Sequence, residues 1–442
     1  MSTESEVSVE FATPPASPYE GTRIGIFDHL KLSSYWFGSN FAWGCFLGPV
    51  LSSEMERLAP STSAGSLGLL YFFGALPAIF VPLIFGPLSD RCQSPSGRRK
   101  PYILGGAIIA LVGIAVMATA YQGLALIPYI GGYLVLQIGS NIALAAYSGI
   151  IPDLVPPEQR GIASGYMAVM SQVATLLGVL IGGSMVDKGL NTWLYLIIAG
   201  VFSMLVAVAY FGIRESPLTG LLPPFSLPTY LKRLWIDPRK YPDFAWVWFT
   251  RALMMLGFYA IQPYILYFLR DVIGVKNPAM AAGALGGIIL LGAAVSGFVG
   301  GRISDHTGRK PVVIASSYII AVAAVSLIFA RNLEVALAIG VFFGLGYGAY
   351  ISVDWALGAD VLPNRADAGK DMAVWHVAMT LPQQLAPLIS GYVLQAFMVG
   401  KIVQDSEEVA KYGLGGYAVI FTFSALCFLL GGYLLRKVKG VK

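Results

Sequence analysis

Ala64–Gly86, Ala279–Gly301 and Tyr412–Leu435 each run for more than twenty residues without an Asp, Glu, Lys or Arg. About 20 such residues are needed for a helix to cross the ~30 Å hydrocarbon core of a bilayer. Hydrocarbon offers the backbone no hydrogen-bond partner, so a chain built from such runs must satisfy its peptide groups within helices. Composition agrees: 56% of the 442 residues are hydrophobic and 12% are charged, against about 25% charged in soluble domains. The mean hydropathy is +0.69.

Apolar runs of about twenty residues mark twelve spans. They lie near Leu32–Ser52, Ala64–Ser89, Tyr102–Tyr121, Leu124–Ile151, Ile162–Val186 and Trp193–Ile213, then near Phe244–Leu269, Met280–Gly301, Val312–Ala330, Val335–Ala359, Met372–Val399 and Gly413–Leu435. The expected fold is an all-α polytopic membrane protein in two six-helix halves. Residues 1–31 form a disordered tail, 32–213 the first bundle, 214–243 a Pro-rich basic linker, 244–435 the second bundle and 436–442 a basic tail. With both termini on one side, that side holds 21 Lys and Arg and the other 7. The positive-inside rule therefore places both termini in the cytoplasm, with the chain in the cell (inner) membrane. The net charge of +5 serves this topology and not nucleic acid. The first residues lack the basic region and apolar stretch of a signal peptide, and Cys45, Cys92 and Cys427 form no disulfide framework.

A charged knot interrupts the apolar pattern twice. GPLSDRCQSPSGRRKP contains Asp90, Arg91, Gly97, Arg98 and Arg99; GGRISDHTGRKP contains Asp305, Gly308, Arg309 and Lys310. The acids lie 215 positions apart, and a second pair of signatures, Asp153-Leu-Val-Pro and Asp360-Val-Leu-Pro, lies 207 apart. Two signatures at nearly one offset indicate an internal duplication. Gly97 and Gly308 permit the positive φ of a tight turn. Asp90 and Asp305 close their helices, where a carboxylate opposes the helix dipole and needs a partner. Neighbouring bases or a helix N-terminus of the opposite half would supply one, and the knots are expected to latch the cytoplasmic side.

Gly301-Arg-Ile-Ser-Asp305-His-Thr-Gly308-Arg309-Lys310-Pro resembles the loop signature of the major facilitator superfamily, and the likeness covers essentially the whole helical region. The first knot, with four extra residues before Gly97, resembles the glycoside–pentoside–hexuronide and sucrose-type carriers. The resemblance implies a secondary transporter without cofactor, its cavity lined by helices 1, 4, 7 and 10 and its cargo a sugar or glycoside, with H⁺ or Na⁺ as the coupling ion. The acid and the Arg that sucrose carriers bear on helix 4 are Gln137 and Ser148 here, while Asn141 matches.

Ionisable side chains inside a membrane are functional candidates by default. Arg251, Asp354 and His376 fall inside helices 7, 10 and 11, and the first two are expected to meet at one depth as a coupling or gating pair. Asn40, Trp43, Gln137, Asn141, Ser171, Gln172, Tyr259, Gln262, Trp355, Gln383 and Gln384 are the uncharged cavity candidates: amides pair with hydroxyls and rings cover the C–H faces of sugars. An exporter of amphipathic compounds predicts instead a cavity of Met and aromatics with few amides, and a receptor or assembly factor on the same fold predicts binding without transport. The sequence carries no phosphate loop, metal-ligand cluster or nucleophile elbow. No enzyme, metal or nucleic-acid partner is expected, and the protein is read as a monomer in the lipid bilayer.

Overall fold

The computed structural model describes residues 17–220, 222, 226, 228, 235–363, 368–404 and 407–439. Among these residues twelve long helices form two sets of six. Helix α1 (26–58) enters as Ile26–Cys45, passes through a π-helical turn at Phe46–Val50 and leaves as Leu51–Leu58. Then follow α2 (Ser63–Asp90), α3 (Lys100–Gln122), α4 (Leu126–Leu154), α5 (Arg160–Asp187) and α6 (Asn191–Gly212). The second set is α7 (Pro242–Ile273), α8 (Pro278–Thr307), α9 (Arg309–Ser326), α10 (Leu333–Asp360), α11 (Ala368–Ala396) and α12 (Leu414–Leu434). Ten of the described helices are long and apolar enough to cross a membrane. The other two of the expected twelve are α1, with Asp28, His29, Lys31 and Asn40, and α11, with Asp371, His376, Gln383 and Gln384.

The outer surface is apolar, as a lipid-facing surface must be: Ile127 is 83% exposed and Phe298 72%. Inside, where lipid provides no hydrophobic drive between helices, small residues permit close packing. A Cβ at Gly139 of α4 would collide with the backbone of Ala110 on α3, and one at Gly113 with the backbone of Leu136.

Two short strands depart from the all-helical expectation. Strand β1 (Met398–Gln404) pairs antiparallel with β2 (Glu407–Tyr412) between α11 and α12. The β-branched Val399, Ile402, Val403 and Val409 favour extended backbone here. This end of the bundle is called the hairpin face, and the opposite end, which carries the charged knots, the knot face.

Hydrogen bonds between the halves gather at the hairpin face. Ala410 N–H donates to Pro60 O (2.8 Å). The Tyr412 hydroxyl meets Ser63 Oγ (2.9 Å) and accepts from Ala64 N–H (3.0 Å). Tyr264 donates to Ala64 O at 3.1 Å, Tyr267 to Ser52 O at 2.8 Å. Asp187 Oδ1 accepts from Ala279 N–H at 3.1 Å. At the centre of this contact Arg270 pairs with Glu56 across the halves, with Asp271 (Nε to Oδ1, 2.7 Å) and with Ala410 O (2.8 Å). Asp271 also accepts from Tyr412 N–H (3.0 Å) and the Tyr417 hydroxyl (2.7 Å). Both Arg270 and Glu56 are buried. Removing one partner of a buried ion pair strands the other charge and costs about 3–5 kcal/mol. Arg270→Gln is expected to lower the thermal unfolding midpoint of the purified protein by several degrees. Glu56→Gln added to it should recover part of that loss, and a double-mutant cycle in detergent measures both.

Candidate functional site

The first helix of each half is broken. In α1 the break is the turn Phe46–Val50, where Gly48 takes a non-helical conformation (φ −78°, ψ −107°) ahead of Pro49. In α7 the α-helix ends at Ile261 and a 3-10 turn, Gln262–Tyr264, carries Pro263. A proline inside a helix removes one backbone donor and pushes against the preceding turn. The two prolines are 214 positions apart, within one residue of the offset of the duplicated knots. Gly48 lies ten residues from the end of α1 and Gln262 eleven from the end of α7. At 1.5 Å per residue both are about 15 Å inside the hairpin face, near the middle of a ~30 Å core.

The breaks repair each other. Gln262 Nε2 donates to Leu47 O across the halves (3.1 Å) and Ser52 Oγ donates to Pro263 O (2.7 Å). Beside them is a cavity of about 240 Å³, walled by α1, α5, α7, α8 and α10. Its lining is apolar apart from Gln262, Thr175 and Tyr347, with Phe258, Phe343 and Leu285 among the walls. The Tyr347 ring stacks on Phe258 at 4.4 Å. Paired, interrupted helices in corresponding positions of two repeats point to a transporter's binding site. The Gly48-Pro49 and Gln262-Pro263 dipeptides were the signal in the sequence that would have located it.

Arg251 and Asp354 do meet, about 16 Å nearer the knot face than Gln262 along α7. They form a fully buried ion pair, and the Tyr350 hydroxyl donates to Asp354 Oδ1 (3.1 Å). The Arg251 guanidinium lies over the Trp375 ring (3.4 Å to its centre) and within 5.7 Å of that of Trp355, with Met379 Sδ at 3.7 Å from Nη2. His376 stands half-buried beside Trp375 on α11. The pair, the aromatic cover and the histidine all belong to the second half.

The knots are held within their own halves. Arg99 binds Asp90, Asp153 Oδ2 (2.9 Å) and Ser89 Oγ (2.8 Å), and Arg98 reaches the same Asp153 oxygen (2.7 Å). Glu215 closes this cluster by accepting from the Arg99 and Lys100 backbone N–H groups (2.9 and 3.2 Å). Burial pushes its carboxyl above the ordinary range, against the pull of those amides. Arg91 follows α2, half-exposed. In the second knot Arg309 binds Ser304 Oγ (2.7 Å) and Asp360 Oδ2 (3.6 Å), and Lys310 donates to Val438 O. The Asp305 side chain lies outside the described residues. Gly97 and Gly308 have φ of +105° and +90°, as the turns require. In this structure the knots staple the ends of α2 to α3 and α4, and of α8 to α9 and α10, and the Glu56–Arg270 pair that does cross the halves lies at the hairpin face, away from the knots. The bases follow their acids within one tight loop, so the nearest partner is local.

Of the uncharged candidates only Gln262 lines the cavity. Asn141 Nδ2 donates to Gln137 O (2.8 Å) and Oε1 (3.2 Å), Gln137 Nε2 to the Tyr133 hydroxyl (2.9 Å), and Asn40 Nδ2 to Trp36 O (2.7 Å). Trp43 stands edge-on to Tyr133 at 6.5 Å. Ser171 O accepts from Thr175, Gln172 is exposed, and Trp355 is 48% exposed. Tyr259 is buried edge-on to Phe258 at 5.2 Å, and Gln383 is half-buried. Gln384 is buried, and among the described residues neither its Oε1 nor the Tyr71 hydroxyl has a hydrogen-bond partner. Sequence reading missed Glu54, which accepts from Tyr129 (2.5 Å), Tyr195 (2.6 Å) and Asn191 (3.0 Å) and so ties α1 to α4 and α6.

Comparison with known proteins agrees with this architecture. The sequence profile of the Major Facilitator Superfamily matches residues 34–387 and, in a second match, 281–441. The multi-drug resistance efflux pump PmrA of Streptococcus pneumoniae is 24% identical over 427 residues, 92% of this chain and 94% of the pump. The sucrose transport protein SUC4 of Arabidopsis thaliana is 25% identical over 168 residues, 35% of this chain; the chain spans 32% of that relative's length. The crystal structure of a bacterial homologue of the human lysosomal transporter Spinster superposes with a TM-score of 0.70 at 16% identity, covering 96% of this chain and 99% of that one. The chain belongs to the Major Facilitator Superfamily, a family of membrane transporters and not of enzymes.

Proposed function

We propose that the protein moves a small organic solute across its membrane by alternating access, with the cargo held between the two broken helices. The single observation that carries this reading is the placement of the cavity: it lies at mid-depth between the halves, just inside the contact that joins them at the hairpin face. Release toward that face requires the Glu56–Arg270 pair and the hairpin contacts to part. With both termini in the cytoplasm, as the distribution of Lys and Arg supports, the structure is closed to the outside.

Two cargo classes have support. A sugar or glycoside is supported by the form of the first knot and by the partial likeness to a sucrose transport protein. An amphipathic compound is supported by the cavity itself, whose lining holds one amide, while Gln137, Asn141 and Asn40 spend their donors close by in the chain. The near full-length likeness to an efflux pump points the same way. The geometry favours the amphipathic cargo, because a sugar's several hydroxyls would enter an apolar space largely unpaired. In a thermal-shift screen, neutral aromatic alcohols are expected to raise the unfolding midpoint through mass action, and sucrose, xylose and glucose to leave it unchanged. The reverse result assigns a sugar cargo, and counterflow in proteoliposomes with any hit tests transport against simple binding.

For coupling, we place a transported proton on Asp354. Its burial against Arg251 and Tyr350 supports this: protonation removes the acid's charge and leaves the guanidinium with its contact to the Trp375 ring. Asp354→Asn is expected to abolish accumulation driven by an imposed pH gradient while counterflow exchange persists. Gradient-driven accumulation at the wild-type level in a monodisperse Asp354→Asn preparation overturns the assignment, and a sodium gradient serves as the comparison arm.

A further inference from the structure

We infer that Gln262 Oε1 is the cargo-reading group of the cavity, and that the cargo is a neutral, mainly apolar molecule carrying one N–H or O–H donor. The inference rests on the amphipathic reading above and names its chemistry.

Gln262 sits on the α7 break, in the 3-10 turn that Pro263 enforces. Its carboxamide orientation is settled by its one partner: Nε2 must face Leu47 O, because two carbonyl oxygens repel. The other end of the same amide, Oε1, is buried and has no donor among the described residues. An acceptor buried without a donor is unfavourable, and this one belongs to a residue that lines the cavity. The remaining polar lining does not reach it. Thr175 gives its proton to Ser171 O, the Tyr347 ring stacks on Phe258 at 4.4 Å, and neither donates to Gln262 Oε1. Among the described residues no charged side chain lines the space, so an ionic cargo would lose its hydration without compensation. Phe258, Phe343 and Tyr347 offer rings against which a flat apolar body packs. One acceptor in an apolar box selects one donor on an apolar molecule.

The position of Gln262 also couples recognition to conformation. The same amide that reads the cargo holds α7 to the broken turn of α1 in the opposite half, so a donor arriving at Oε1 acts on a bond that spans the halves.

The test uses 2-naphthol and naphthalene, which share an apolar body and differ by one hydroxyl, titrated calorimetrically into the full chain in lipid nanodiscs, with empty nanodiscs subtracted. Sucrose is the control. The wild type is expected to bind both aromatics and not sucrose. In Gln262→Leu the naphthol-to-naphthalene affinity ratio should fall roughly tenfold, the value of one buried hydrogen bond. Gln262→Glu, neutral in so apolar a site, keeps a carbonyl acceptor and an O–H that can donate to Leu47 O, and should hold the ratio within about threefold of wild type. A ratio unchanged in Gln262→Leu overturns the inference while leaving the amphipathic reading intact. A ratio lost equally in Gln262→Glu, where the acceptor is retained, also overturns it. Failure of both aromatics to bind the wild type overturns the inference together with the reading beneath it.

Discussion

A peptide group inside hydrocarbon must find its hydrogen bond within the protein, because the solvent supplies none. Regular helices meet that demand without help, and a broken helix does not. The structure allows α1 and α7 to break because each break faces the other: Gln262 donates to Leu47 O, and Ser52 to Pro263 O. The same bonds that repair the backbone join the two halves. The weak point of each half thus becomes the seam of the whole, and the cavity opens beside it.

Charged side chains follow the same need for partners, at three levels of the bundle. At the knot face Arg98 and Arg99 neutralise Asp90 and Asp153, and Glu215 caps the start of α3. These contacts stay within one half, so they survive any rotation of one half against the other. Deeper, Arg251 and Asp354 close on each other under Trp375, within the second half. At the hairpin face Arg270 joins Glu56 of the other half. An ion pair that crosses the seam has to separate when the seam opens. Position relative to the seam therefore separates the staples from the latch, although all three clusters use the same residue types.

Much of this was legible in the chain. Twelve apolar runs predicted twelve helices, the repeated knots predicted two similar halves, and Gly97 and Gly308 take the positive φ their turns demand. Arg251 and Asp354 were expected to meet, and they do, because an unpaired charge at that depth would be prohibitively unfavourable. The amides were a different matter. Asn141 and Gln137, four residues apart on α4, bond to each other, and Asn40 bonds to the carbonyl four residues before it. Residue type announces a hydrogen-bonding group but does not say whether a helical neighbour will satisfy it first. Glu56 and Arg270 drew no notice because a charge near a helix end is ordinary until the fold buries it.

The sequence by itself determined the helices, their number and their division into halves. Those properties depend on local physics: apolar length against bilayer thickness, and a repeated loop pattern. The tertiary structure alone decided which polar atoms remain unsatisfied and which charges cross the seam. Both are differences between what a residue offers and what its spatial neighbours take up, and those neighbours lie more than two hundred positions away in the chain.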